Sequence, residues 1–199
     1  MLSYTGNRSR QAGTSLIEVM VTLAILSFSL LGIAGLQSKL GTAEMESYER
    51  AQALVALNQM TERMSSNLAN IGAYVTGTAN PLGTGDTQPA NCTAAGLTGV
   101  ALDQCEWSNT LKGAGETSGG GASVGAMIGG RGCIEQLQAP VFALGACAVG
   151  IYRVSVVWQG MAPTVAPNAA MACGANLYGA DTNRRLISAT VSVPTTSCY

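Results

Sequence analysis

The apolar stretch near the N-terminus decides the fold of this chain. Residues 13–26 read GTSLIEVMVTLAIL, and the apolar character continues to Leu36. Between Leu16 and Leu36 a single charged side chain, Glu18, interrupts the run. A helix rises about 1.5 Å per residue and a bilayer core is about 30 Å thick, so the run can span a membrane. The sequence therefore predicts a transmembrane helix over residues 14–36.

The residues ahead of this run predict a short leader and the topology of the helix. Residues 1–13 read MLSYTGNRSRQAG, which is polar, carries Arg8 and Arg10, and has no apolar run of its own. Basic residues before a span place its N-terminus in the cytoplasm, so the chain after Leu36 lies on the far side of the membrane. The alternative is a secretory signal peptide, which needs a small-residue cleavage site after the apolar run.

An amphipathic continuation of the helix is predicted over residues 37–71, because apolar residues recur there every three or four positions. The stripe comprises Leu40, Ala43, Ser47, Ala51, Leu54, Leu57, Met60, Met64, Leu68 and Ile71. Glu46 and Arg50 stand four residues apart on the polar face. The pattern favours one helix from about Thr14 to about Ile71, whose apolar stripe packs on a domain.

Three glycines interrupt the predicted helix at Gly32, Gly35 and Gly41. Each costs about 1 kcal/mol relative to alanine in an exposed helix interior, which favours local unwinding. Glycines in a membrane helix also let neighbouring helices approach closely. Both interpretations stay open at the level of sequence.

Residues 72–199 predict a β-rich domain with long loops. NPLGTGDTQP at residues 80–89 and the glycine-rich stretch 113–132 are typical of loops, and neither contains a phosphate-binding G-x-x-x-x-G-K-[ST] motif. VGIYRVSVVW (149–158) and RLISATVSV (185–193) are rich in β-branched residues and predict strands. A small antiparallel sheet that covers the amphipathic helix gives an α+β fold.

Composition excludes most catalytic and nucleic-acid functions. The chain has 10 basic and 11 acidic residues and no histidine, so it lacks a basic footprint for nucleic acid and the usual general base and metal ligand. Lysine occurs only at Lys39 and Lys112. We therefore predict no enzyme activity, no catalytic residue, no cofactor and no metal site.

Six cysteines lie between residues 92 and 198, and none forms a C-x-x-C pair. They predict disulfides and an oxidising compartment such as the bacterial periplasm. Sequence alone cannot choose among fifteen pairings. Our hypothesis is sequential pairing, with bonds Cys92–Cys105, Cys133–Cys147 and Cys173–Cys198.

The N-terminal motif resembles the class III signal of type IV pilins and type II secretion pseudopilins. In that signal a glycine precedes the cleaved bond and a glutamate is the fifth mature residue, and Gly13 and Glu18 match these positions. The resemblance implies a type IV pilin-like fold, cleavage by a prepilin peptidase between Gly13 and Thr14, and N-methylation of Thr14. Thr14 stands in place of the usual phenylalanine, and Gly35 stands where many major pilins carry a helix-bending proline.

Physical roles follow for the same residues. Gly13 has no side chain to obstruct a protease at the membrane surface. Glu18 lies just inside the membrane, where an isolated carboxylate is costly unless it is paired. The new amine of Thr14 in an adjacent mature subunit would neutralise Glu18 and fix the register of packed helices. The alternative is that Glu18 snorkels to the nearby interface.

The C-terminal half resembles the family of the type IV pilus modification protein PilV, a minor pilin. The matching features are CAVGIYRVSVVWQG (147–160), Cys173, Tyr178-Gly179, Arg184-Arg185 and a terminal strand. This implies a scarce inner-membrane subunit that primes assembly with other minor pilins, the major pilin and the assembly platform, then joins the fibre at the cell surface. The alternatives are a type II secretion pseudopilin and an adhesin module with Trp107 and Trp158 as exposed aromatic candidates, although Trp158 ends a strand that predicts burial.

Overall fold

A computed structural model gives the fold and describes residues 13–114, 119, 127–143 and 146–194. The chain forms two compact units, Met1–Ala43 and Glu44–Tyr199, called here the N-terminal unit and the C-terminal unit. Helix α1 (Leu16–Ser66) contributes residues to both units. The predicted domain limits at residues 13, 36 and 71 stay predictions.

The N-terminal unit consists of the first part of α1, and its described side chains are all exposed. Leu16 and Phe28 are 76% and 75% exposed. In the described part of the chain, α1 is the helix long and apolar enough to cross a membrane. The helix continues through Gly32, Gly35 and Gly41, so local unwinding is wrong for this structure. One glycine costs about 1 kcal/mol, whereas a break loses several helical hydrogen bonds.

The helix ends earlier than Ile71. It stops at Ser66, and a 3-10 segment follows over Leu68–Tyr74. Asn67, at φ −127° and ψ 49°, leaves the helical conformation, and its side chain accepts a hydrogen bond from Asn70 Nδ2 at 2.9 Å. Asparagine side chains compete with helical backbone bonding in this way, so the apolar spacing alone placed the end too late.

In its described residues, the C-terminal unit adds one helix and six strands. In chain order they are β1 (Leu82–Gly83), α2 (Gly99–Leu111), β2 (Arg131–Gln138), β3 (Val141–Ala143), β4 (Ala146–Ala148), β5 (Gly150–Gln159) and β6 (Arg184–Val193). A second 3-10 segment, Asp181–Asn183, precedes β6.

Four strands form an antiparallel sheet in the order β1-β2-β5-β6, and β3 pairs with β4 in a separate hairpin. Strands β5 and β6 coincide with the two predicted strands to within one residue at each end, and they pair from Gly150↔Val193 to Gln159↔Arg184. The long N-terminal helix, the small antiparallel sheet and the disulfides confirm the predicted α+β, type IV pilin-like fold.

One face of α1 packs on the sheet and forms the core of the C-terminal unit. Its buried apolar residues are Ala53, Ala56, Leu57, Met60 and Met64, which meet Ile134, Val154, Val156 and Val191 of the strands. Leu57, Met60 and Met64 confirm the later part of the predicted stripe. The earlier part was wrong: Leu54 is 45% exposed, and the buried face turns instead to Ala53 and Glu49.

Helix α2 and strand β2 were not predicted: α2 lies between the two loop-like stretches 80–89 and 113–132, and β2 begins at the end of the second. Trp107 of α2 is fully buried, and its indole nitrogen donates to the Ala56 carbonyl at 2.8 Å. Gly132 of β2 faces this ring, and a Cβ there would lie 2.2 Å from Trp107. The glycine therefore makes room for tryptophan within a strand, which explains why β2 resembled a glycine-rich loop.

Candidate processing and assembly site

The predicted cleavage point lies in accessible backbone ahead of α1. Gly13, Thr14 and Ser15 are exposed and outside the helix, which begins at Leu16. Among the described residues, Gly13 and its chain neighbours aside, no atom lies within 4 Å of the position that a Cβ would take at Gly13. The Ser15 carbonyl starts the helical bonding by accepting the Glu18 N–H at 3.0 Å. Because the Gly13–Thr14 bond lies before the helix, a protease does not need to unwind the helix to reach it.

Glu18 occupies the first turn of α1 and is exposed. Within residues 13–114, 119, 127–143 and 146–194, no cation and no hydrogen-bond donor contacts its carboxylate. Arg8 and Arg10 lie outside the described residues. The acidic group stands near the positive end of the helix dipole, which favours a negative charge.

The hydroxyl groups of the apolar run bond within the helix itself. Thr22 donates to the Val19 carbonyl at 2.9 Å, and Ser27 and Ser29 donate to the carbonyls four residues earlier at 2.8 and 2.9 Å. Polar groups that face hydrocarbon need such internal partners. The span can therefore present an apolar surface to lipid or to other helices, with Glu18 as its single charge.

A charged cluster lies where α1 enters the C-terminal unit. Glu46 pairs with Arg185 of β6 at 2.9 Å, and not with Arg50 as its helical spacing suggested. Glu49, only 1% exposed, accepts the Ile128 N–H at 3.3 Å, while its Oε2 has no partner in the described part of the chain. Burial raises the pKa of Glu49, and the hydrogen bond from the Ile128 N–H offsets this only in part.

Sequence reasoning missed Glu49, because an acidic residue in a helix normally faces solvent. The signal that could have revealed the burial of Glu49 is its spacing along the helix. Glu49 stands four residues before Ala53 and eight before Leu57, on the same helical face.

The C-terminal motif residues converge on the outer face of the sheet. Tyr178 Oη donates to the Gly129 carbonyl at 2.8 Å. Arg184, 2% exposed, binds Asp181 at 2.6 Å and donates to the carbonyls of Met171 and Cys173 at 2.7 and 2.9 Å. The Arg184 guanidinium lowers the pKa of Asp181. These residues fasten the loop between β5 and β6, so their role here is structural.

The structure confirms one of the three disulfides that sequential pairing predicted and contradicts the other two. Cys92 pairs with Cys105, as the hypothesis has it. Cys133 pairs with Cys173, so the pairings Cys133–Cys147 and Cys173–Cys198 were wrong. The reason is that the loop after β5 folds back over β2 and places Cys173 beside Cys133, a long-range approach that spacing cannot reveal. Cys147 is also disulfide-bonded, and Cys198 lies outside the described residues.

The proposed aromatic surface is absent, since Trp107 and Trp158 are 0% and 3% exposed. Both indoles belong to the core, so the interpretation of Trp107 as an exposed binding residue was wrong. Among the residues described, no group of histidine, cysteine, aspartate or glutamate side chains could hold a metal ion.

Comparison with known families places the N-terminal segment in a class. Residues 8–34 match the prokaryotic N-terminal methylation motif, the class III signal shared by type IV pilins and pseudopilins. The motif, the apolar helix and the disulfides support a membrane-anchored protein of this pilin-like class, whose members are structural, not enzymatic. The class III signal implies processing by a prepilin peptidase and assembly with other pilins. No curated protein and no solved structure matches the chain.

Proposed function

We propose that the chain is a minor pilin of a type IV pilus, incorporated into the fibre after cleavage of its leader. The observation that carries this proposal is the accessible Gly13–Thr14 bond, followed directly by an apolar helix with Glu18 in its first turn. Cleavage there frees an amine at Thr14 and keeps the helix as anchor and packing element. N-methylation of Thr14 completes the maturation.

Glu18 then acts as the assembly residue. Its carboxylate has no partner among the described residues, and burial of such a charge among packed helices requires a counter-charge. The Thr14 amine of an adjacent subunit supplies that charge at the same depth in the membrane. An unmatched Glu18 therefore marks the register in which this helix enters a bundle of other pilin helices.

The partners in this proposal are a prepilin peptidase, other minor pilins, the major pilin and the inner-membrane assembly platform. The precursor spans the inner membrane once, with a cytoplasmic N-terminus and a periplasmic C-terminal unit. The described disulfides support the periplasmic location, because thiols stay reduced in the cytosol. The C-terminal resemblance to PilV favours a scarce subunit that initiates assembly and supports twitching motility.

Filament proteomics tests the proposal against a pseudopilin function. The chain is quantified in sheared surface filaments from cells that lack the pilus assembly platform or, separately, the type II secretion platform. Loss of the chain from filaments only in the first strain supports a minor pilin. Loss only in the second strain would assign it to the secretion system and overturn the proposal.

A further inference from the structure

The two edges of the four-stranded sheet differ in how their backbone groups are satisfied. Edge strand β1 has two residues, Leu82 and Gly83. The Asp86 carboxylate accepts the Gly83 N–H at 2.8 Å, and the Gly83 carbonyl accepts the Asp86 N–H at 3.1 Å. Lys112 and Ser108 hold Asp86 in place. This edge is short and closed by its own loop, as natural proteins protect their sheet edges.

The opposite edge, β6, has ten residues and a regular register with β5. The Gly160 N–H donates to the Asn183 carbonyl at 2.8 Å, one step beyond the Gln159↔Arg184 pair. Antiparallel pairs alternate between hydrogen-bonded and non-bonded residues. Asn183 therefore occupies a hydrogen-bonded position, and so does every second residue after it. The N–H and C=O groups of Arg185, Ile187, Ala189, Val191 and Val193 point toward β5. The residues whose N–H and C=O groups point outward are Leu186, Ser188, Thr190 and Ser192.

These outward groups have no partner in residues 13–114, 119, 127–143 and 146–194. The run LISATVSV at 186–193 contains no charge and no proline, and the β5–β6 pairing has no bulge. Residues 186–193 thus lack charge, proline and a bulge, three of the devices that keep an edge strand from pairing with another chain. Half-buried Ile187 and Ala189 line its inner face beside the core.

An apolar cleft of about 530 Å³ adjoins the end of this edge. It is lined by Leu68, Ile71, Pro140, Tyr152, Val193 and Pro194. A strand added to β6 would place side chains alternately above and below the sheet, and one on the inner face near Val193 would reach this cleft. Main-chain bonds to the edge and a pocket for one side chain are the two elements of recognition by strand addition.

We propose that β6 is a docking edge that receives an extended segment of a neighbouring filament subunit. The segment is proline-free, apolar at alternate positions, and carries a bulky apolar residue opposite Val193. This inference rests on the proposed function. Pairing of β6 with β6 of a second copy would be isologous and would close at a dimer, whereas a filament requires a contact between different surfaces.

Amide hydrogen exchange on the full chain in detergent micelles tests the proposal residue by residue. The probe is a lysine-flanked, proline-free peptide of alternating threonine and valine, in which a leucine replaces the valine that would lie opposite Val193. We expect it to slow exchange at Leu186, Ser188, Thr190 and Ser192 by about tenfold or more, because their N–H groups gain acceptors. Exchange at Ile187, Ala189 and Val191 should not change, since these amides already bond to β5.

Matched variants and a matched probe serve as controls. Thr190→Pro removes one outward N–H and should abolish protection, whereas Thr190→Val keeps the backbone and should retain it. Protected amides at Ala189 and Val191 report that a variant has folded. The same peptide with N-methyl groups along one edge should not protect wild-type chain, so the test stands even if Thr190→Pro fails to fold.

Three results would overturn the proposal. The first is no protection by the peptide. The second is protection of the outward amides in dilute chain alone, since residues of the same chain would then cover the edge. The third is protection that grows with chain concentration without peptide, since a second copy would then be the occupant.

Filament incorporation separates this inference from the proposed function. We expect Thr190→Val in sheared filaments at the wild-type level and Thr190→Pro reduced at least tenfold. Equal incorporation of Thr190→Pro and wild type would overturn the docking edge and leave the minor pilin function standing. Absence of wild-type chain from filaments would instead contradict the function.

Discussion

The two compact units meet opposite demands on apolar side chains. In the N-terminal unit the apolar residues of α1 are exposed, Phe28 at 75%, and the described hydroxyls bond only within the helix. In the C-terminal unit the same helix buries Met60 and Met64 completely against a sheet that disulfides reinforce. The exposed apolar side chains of the N-terminal unit need lipid or other helices to cover them. The C-terminal unit covers its own apolar side chains with its sheet. Anchoring and stability are thus assigned to separate parts of one helix.

This difference predicts that Glu18 matters for assembly and not for folding. Glu18→Ala should reduce the chain in sheared filaments to background, because the Thr14 amine of a neighbour loses its counter-charge. The unfolding transition of the C-terminal unit should not change, since Glu18 is not part of that unit. Quantitative mass spectrometry of filaments and membranes measures both pools. Glu44→Ala, an exposed carboxylate later in α1, is the control and should assemble normally.

The disulfides should dominate the stability of the C-terminal unit. Removal of Cys133–Cys173, which are 40 residues apart, should lower the free energy of unfolding by about 4 kcal/mol in the chain-entropy model. Removal of Cys92–Cys105, 13 residues apart, should cost about 3 kcal/mol. Denaturant titration of the double serine variants measures this order, and the reverse order would contradict it.

Peptide mapping without reduction checks the third bond. Since four cysteines are paired and Cys147 is bonded, we predict that Cys147 pairs with Cys198. A peptide that links Cys147 to any other cysteine would contradict this prediction.

The close contact of Gly132 with Trp107 should make that glycine irreplaceable. Gly132→Ala places a methyl group into the indole ring, and we expect a loss of about 1–3 kcal/mol from overpacking. Gly72→Ala is the matched control, because its nearest atom, Tyr152 Oη, lies at 4.0 Å. Equal unfolding midpoints for the two variants would contradict the packing described here.

Buried Glu49 should make the stability of the C-terminal unit fall as pH rises. Burial raises the pKa of Glu49, so the folded state holds this proton more tightly than the unfolded state. Its stabilising effect is complete below the unfolded pKa and is lost as pH rises through the folded pKa. Glu49→Gln should flatten this part of the pH profile and raise the melting temperature at neutral pH. Exposed Glu62→Gln should change neither quantity.

Features set by neighbouring residues could be predicted, and features set by distant contacts could not. The span, the place of Glu18 and strands β5 and β6 follow from runs and alternation in the sequence. The end of α1, the face that buries Glu49 and the Cys133–Cys173 bond depend on which strand lies beside which. Strand β2 was not predicted, because its Gly132 is needed to make room for Trp107, which lies 25 positions earlier in the chain.

The most direct test is the intact mass and N-terminal sequence of membrane-extracted chain from cells with and without an active prepilin peptidase. We predict a mature chain that begins at Thr14, with an added methyl group, only when the peptidase is active. The precursor should keep residues 1–13 when it is not. A chain left uncut in both strains, or cut after the apolar run, would contradict the assignment of Gly13–Thr14 as a processing site and α1 as a retained assembly helix.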